Sequence, residues 1–431
     1  MKPIRFIILF CTFASTAHNA KAFPDVPHDS VTTLVGDSLF QTGVRKYSEA
    51  RYEDAVRILS EIPRDTSSSQ TLFYLGLSYA SMNDFQNAYD CLKNAVALDS
   101  INLGLRYQYA KFLGQNGASD EAQKQYESII QSDTTFYPAY FQLGVLINAQ
   151  RKFPQREVEI FSRIVRDQPR DYLSLHFLGD ALIRTGKIEA GRVCIAASVT
   201  LNPKNFPAVN QLAGINFSKG DFDQALLLYG QAESLHPFDA TVKFNLGECL
   251  RKLKNDSMAV VYYQKALELD STEARYAAQL GYSYFNLKRF DLSIAAYRRA
   301  IAIDKENPQY WLNLALVYQR MDSSQQVIDS FEWAVSASRP DKIADIYTEL
   351  GGYQYRRKDY RAASQAYIKA LTFEEHNTEA HFYLGMTYDQ LKNPQNAIRH
   401  YQSYLKFTEG DTMMTQRRIL AKQRIDWLKQ H

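Results

Sequence analysis

Net charge, long apolar runs and reactive clusters are all scarce in this chain. Lys and Arg number 50 against 47 Asp and Glu, a formal charge of +3. That balance is too even for a protein that lives on phosphate backbones, so nucleic acid is not expected as a partner. No stretch reaches the roughly 20 apolar residues that a membrane-spanning helix takes. The histidines beyond residue 22, His28, His176, His236, His376, His381, His400 and His431, never fall three or four residues apart, so no helical metal site can be built from them. There is no phosphate-cradling glycine loop and no nucleophile elbow. Neither catalysis, a cofactor nor a metal is expected. Glycine at 19 and proline at 13 are modest for 431 residues, whereas tyrosine reaches 29. This composition argues against disorder and for many half-buried aromatic contacts between helices.

What the chain does have is a period. A small residue returns at Gly43, Gly76, Ala110, Gly144, Gly179, Ala213, Gly247, Gly281, Ala315, Gly351 and Gly385, with gaps of 33 to 36 residues and most often 34. Self-similarity at that spacing marks a solenoid of helical hairpins, which grows by stacking and leaves little room for a catalytic domain. With the small residue as position eight of each repeat, the seventh position is usually Leu. The twentieth is mostly tiny, with Glu157 out of line. The twenty-fourth is bulky throughout: Leu59, Leu92, Tyr126, Phe161, Ile195, Tyr229, Tyr263, Tyr297, Phe331, Tyr367 and Tyr401. Small residues at eight and twenty let two antiparallel helices approach, and the large one at twenty-four fills the space beside them. Gly117, Gly186 and Gly220, or polar pairs such as Asn83-Asp84 and Lys392-Asn393, supply the turns. Pro154 and Pro394 fall where a second helix begins. Glu157 and one extra residue predict a broken second helix in the fourth repeat, and Arg339-Pro340-Asp341 marks a 36-residue step.

These units, for example Phe73-Tyr74-Leu75-Gly76-Leu77-Ser78-Tyr79 followed by Ala88, resemble the tetratricopeptide repeat. The likeness covers residues 36–408 and implies an all-α, right-handed superhelical solenoid of about eleven hairpins. It further implies a concave groove built from positions two, five, six, nine and twelve of the first helices, where a protein or peptide partner would bind. Position five is aromatic at Phe40, Phe73, Tyr107 and Phe141, and again at Phe244 and Phe382. Beside Val44, Tyr47, Leu77 and Val145 these rings would make an apolar floor in the N-terminal third, or else complete the core. Position six carries an amide at Gln41, Gln108, Gln142, Gln211, Asn245, Gln279 and Asn313. A row of amides can hold an extended backbone by donating and accepting, or serve spacing and solubility. The basic clamp of chaperone-binding members is not expected, because Lys111, Asn245, Arg251 and Arg275 fall in the wrong repeats. Acidic residues such as Asp304 and Glu374-Glu375 read as solvated charge.

The N-terminus reads as an export signal over residues 1–22: Lys2 and Arg5, an apolar stretch at 6–14, and Ala20-Lys21-Ala22 before Phe23. A lead-in at 23–35 and a capping helix at 409–431 complete the expected organisation. Cys91, Cys194 and Cys249 lie in non-adjacent repeats and read as buried thiols rather than disulfide partners. The expected role is a non-enzymatic interaction scaffold of a bacterial envelope assembly or secretion complex, exported to the periplasm. The alternatives are a lipid-anchored adaptor of an outer-membrane complex, acylated at Cys11, and a regulatory subunit of an envelope enzyme. Membrane association is expected only through such a lipid or a partner.

Overall fold

The computed structural model describes residues 31–63 and 68–430. The expected export signal, most of the lead-in and Cys11 lie outside them. Among the described residues the chain is entirely helical and divides into two compact units after Ile164. The first unit pairs α1 (Val31–Ser48) with α2 (Tyr52–Ser60), α3 (Ser69–Ser81) with α4 (Phe85–Leu98), α5 (Leu103–Gln115) with α6 (Ser119–Ser132), and α7 (Tyr137–Gln150) with α8 (Pro154–Asp167), whose last turn crosses the division. The second unit pairs α9 (Tyr172–Arg184) with α10 (Ile188–Leu201), α11 (Phe206–Lys219) with α12 (Phe222–Leu235), α13 (Ala240–Lys252) with α14 (Asp256–Leu269), and α15 (Ala274–Asn286) with α16 (Phe290–Ile303). It continues with α17 (Pro308–Arg320) and α18 (Ser324–Ser336), α19 (Pro340–Arg356) and α20 (Tyr360–Phe373), and α21 (Thr378–Gln390) and α22 (Pro394–Phe407). It closes on α23 (Thr415–Gln430).

Each hairpin closes where the period places its small residue. A Cβ built on Gly144 would lie 2.5 Å from the Phe161 ring, on Gly247 2.6 Å from Tyr263, and on Gly351 2.7 Å from Tyr367. All eight glycines at position eight meet the twenty-fourth residue of their own repeat in this way. Position twenty closes the same contact from the other side: a Cβ on Gly191 would stand 2.6 Å from the Gly179 carbonyl, and the Ser293 hydroxyl donates to the Gly281 carbonyl at 2.7 Å. The bulky residues are correspondingly buried, with Tyr263, Tyr297 and Tyr367 among the largest side chains fully out of water. Burying a large side chain stabilises by about 1.5–3 kcal/mol.

The turns obey one rule in all eleven hairpins. Position fifteen is left-handed at Ala50, Asn83, Gly117, Arg151, Gly186, Gly220, Lys254, Lys288, Asp322, Lys358 and Lys392. Only three of these are glycine, the residue that adopts this conformation without steric cost. The next residue caps the second helix in five hairpins: the Asp84, Asp221, Asn255, Asp359 and Asn393 side chains take backbone N–H groups.

One expectation changes, and two features take a definite form. The second helix of the fourth repeat is unbroken: Glu157 sits in the first turn of α8, fully buried, and accepts from the Asn148 side chain at 2.8 Å, while the extra residue is absorbed in the turn between the left-handed Arg151 and Pro154. The 36-residue step lengthens α19 to 17 residues with Pro340 at its start. The first helix extends back to Val31, ahead of residue 36. At the other end α23 packs through Ala421 and Ile425. Arg424 pairs with Asp389 of α21, Arg418 donates to the Leu405 carbonyl at 2.7 Å, and Arg417 lies over Phe382 and Tyr383. Cys194 and Cys249 are free thiols, and burial pushes Cys249 up to about 12.

Candidate functional site

Within the second unit a cavity of about 850 Å³ opens on α17, α19 and α21, the first helices of the ninth, tenth and eleventh repeats. Its lining follows the repeat register. From α17 come Gln309, Leu312, Asn313, Leu316 and Gln319, and from α19 Asp345, Thr348, Glu349, Gly352 and Tyr355. Each set occupies positions two, five, six, nine and twelve. From α21 come Glu379 and Tyr383 at positions two and six. Side chains three and four apart share a helix face, so one face of each first helix supplies the wall. Phe331 and Tyr367 from the second helices form the floor.

The electrostatics are one-sided. Asp345, Glu349 and Glu379 supply three carboxylates, and Arg356 is the cation that lines the cavity with them. Partial burial and the neighbouring charges of Asp345 and Glu379 hold Glu349 above the usual carboxylate range, against the pull of Arg356. Asp345 and Glu349 are like charges four apart on α19, a pairing that destabilises a helix on its own account.

The floor differs from that of the seventh repeat. In the seventh repeat the Tyr263 hydroxyl donates to Glu248 at position nine, which also pairs with Arg251 at 2.8 Å. In the tenth repeat position nine is Gly352. The Tyr367 hydroxyl lies 3.7 Å from where a Cβ on Gly352 would stand, and it has no hydrogen-bond partner although the residue is fully buried. Tyr367 stacks on Tyr383 with ring centroids 6.1 Å apart.

The residues expected from the period are spread over both units. In the first, Phe40 and Phe73 both meet Tyr74, Tyr107 meets Tyr126 and Phe136, and Phe141 meets Phe161, all half-buried in ring contacts of 5.4 to 6.1 Å. These rings serve the hairpin packing. In the second, Phe244 is buried between Tyr263 and Tyr276 under the Arg275 guanidinium, so it offers a partner little surface. Gln211 is committed within the chain: its amide donates to Asp180 at 2.8 Å and its oxygen meets His176 at 2.9 Å. Gln142 is half-buried on α7. Gln108, Asn245 and Gln279 are half-buried on α5, α13 and α15. Asn313 lines the cavity and accepts from Gln309 at 2.9 Å. The carboxylates of the cavity were not singled out from the sequence, yet the ruler reaches them: Asp345 and Glu379 are both at position two, and Glu349 stands at position six where amides recur.

Among the described residues no helix is long and apolar enough to cross a membrane, and no group of three or more His, Cys, Asp or Glu could hold a metal ion. Models described as TPR repeat or tetratricopeptide repeat match residues 69–102, 211–274, 281–322 and 348–412. With eleven hairpins in register, the chain is a tetratricopeptide repeat protein. It is 22% identical over 210 residues to human protein O-mannosyl-transferase TMTC1, the match covering 48% of this chain and 23% of that protein. The chain thus spans under a quarter of that curated relative. Among solved structures it is similar to yeast Tom70 (14% identity, TM-score 0.39, 92% of this chain and 96% of that one). It is also similar to MamA from Desulfovibrio magneticus RS-1 (18% identity, TM-score 0.37, 39% and 95%).

Proposed function

We propose that this protein is a non-catalytic recognition scaffold that takes a protein or peptide segment on the first-helix face of its ninth to eleventh repeats. The observation that carries this reading is the cavity whose walls are drawn from the groove positions of successive repeats. Fixed polar groups converge there on a concave space, the arrangement ligand sites share. The export-like N-terminus, with Lys2, Arg5 and Ala20-Lys21-Ala22, supports placing the scaffold in a bacterial envelope. In that setting it would serve an assembly or secretion complex.

Photo-cross-linking tests the site. Benzoylphenylalanine at Leu316, on the groove, should give adducts in native envelope extract that Gly352→Trp abolishes. The same group at Ile368, exposed on α20, should give none. Adducts from Ile368 alone would refute the site. Mass spectrometry of the mature N-terminus tests the location: a chain starting at Phe23 supports export, and a retained Met1 contradicts it.

A further inference from the structure

We propose that the segment this groove takes is basic, and that a lysine or arginine side chain of the partner enters the cavity between Asp345, Glu349 and Glu379, beside the Tyr355 ring, and donates to the Tyr367 hydroxyl. This rests on the groove reading above and names its ligand chemistry.

Three independent observations converge. First, the cavity holds three carboxylates against one guanidinium, and Arg356 forms no ion pair within 4 Å with any of them. All three carboxylates are exposed at the mouth of the cavity, and like charges gathered on a concave wall attract cations. Second, the Tyr355 ring lines the same space. Aromatic faces attract ammonium and guanidinium groups, and more strongly as water is excluded. Third, the Tyr367 hydroxyl is buried and unpartnered. Buried polar groups are otherwise almost always bonded, so this one is an open acceptor. The equivalent Tyr263 shows what is missing, since its hydroxyl is taken by Glu248. Gly352 removes that internal partner and opens the floor beneath the carboxylates. The amides of Gln309, Asn313 and Gln319 on α17 can then hold the backbone that carries the cation. The polarity is the reverse of a basic clamp for a terminal carboxylate.

The test uses the full chain and three fluorescein-labelled dodecapeptides: Gly-Ser spaced with four arginines, the same with four glutamates, and an uncharged Gly-Ser peptide. Anisotropy should show binding of the arginine peptide only. Glu349→Gln should weaken it by about tenfold or more, the loss that follows removal of one charged hydrogen-bond acceptor. Tyr367→Phe should weaken it by a smaller factor while leaving the melting temperature unchanged, since the hydroxyl bonds nothing in the free protein. Gly352→Trp should abolish it. If the uncharged peptide binds as well and Glu349→Gln changes nothing, while Gly352→Trp still blocks, the basic-partner proposal falls and the groove reading stands. If Gly352→Trp leaves arginine-peptide binding intact, the groove reading falls with it. Spermidine binding as tightly as the arginine peptide would assign the site to a free polyamine. A dimer in sedimentation that Glu349→Gln dissolves would assign it to the basic α23 of a second copy. Either result overturns the proposal.

Discussion

Gly351 and Gly352 are neighbours on α19 that face the same tyrosine, and they should respond oppositely to alanine. Both sit inside a helix, where replacing glycine by alanine gains about 1 kcal/mol of backbone propensity. A Cβ at position 351 would stand 2.7 to 2.8 Å from three atoms of the Tyr367 ring. Tyr367 is fully buried and stacked on Tyr383, so the ring has no free direction in which to move. Overpacking of that kind costs about 1–3 kcal/mol. At position 352 the nearest atoms are the Arg356 guanidinium at 3.5 Å and the Tyr367 hydroxyl at 3.7 Å, ordinary contact distances. Gly352→Ala should therefore stabilise, and the two variants should differ by about 1–3 kcal/mol, because the propensity term cancels between them. Urea unfolding at constant m-value measures the difference, and amide exchange of α19 and α20 localises it. Equal shifts in the same direction would refute the knob-and-hole account of these hairpins.

Further outcomes follow from the same structure. Lys358 occupies the left-handed turn position at φ 64°; Lys358→Gly should raise stability by about 1 kcal/mol, and a lower urea midpoint would contradict the turn rule. Burial, His381 and Arg399 push His400 down to about 4, and burial also lowers His381, which packs against it near Glu375, His376 and Tyr388. Both bind protons less readily in the fold than in the unfolded chain, so stability should fall as pH drops below about 6.5 and stay level above it. A paired His381→Gln, His400→Gln variant should flatten the melting profile between about pH 6.5 and 5, and an unchanged slope would count against the assignment. Truncation after Gly410 removes α23 and uncovers Tyr404 and Phe382; the shortened chain should aggregate, and unaltered solubility and melting would refute the capping role.

The fold was legible because one contact is repeated. Gly144 with Phe161 and Gly247 with Tyr263 are the same physical event, and a period in small and large residues records it directly. Glu157 misled because a carboxylate at a tiny-residue position implies a break, whereas Asn148, one turn before the hairpin bend, supplies a hydrogen bond that lets α8 continue. The groove positions were legible as a register but not as a site. Fifth-position rings such as Phe244 look like a binding surface in sequence, and only the contacts with Tyr263 and Tyr276 show that packing uses them. Gln211 was indistinguishable from Asn313 until Asp180 and His176 were seen to engage it. The carboxylates of the cavity were not singled out because each is unremarkable alone. Their meaning comes from a shared cavity and from what Gly352 leaves open beneath them.

The central claim is that recognition happens on the first-helix face of the ninth to eleventh repeats. Hydrogen exchange of the full chain, with and without saturating arginine dodecapeptide, tests it most directly. The account predicts added protection confined to α17, α19 and α21, lost in Glu349→Gln. Protection of α18 and α20 instead, or of helices in the first unit, would contradict it.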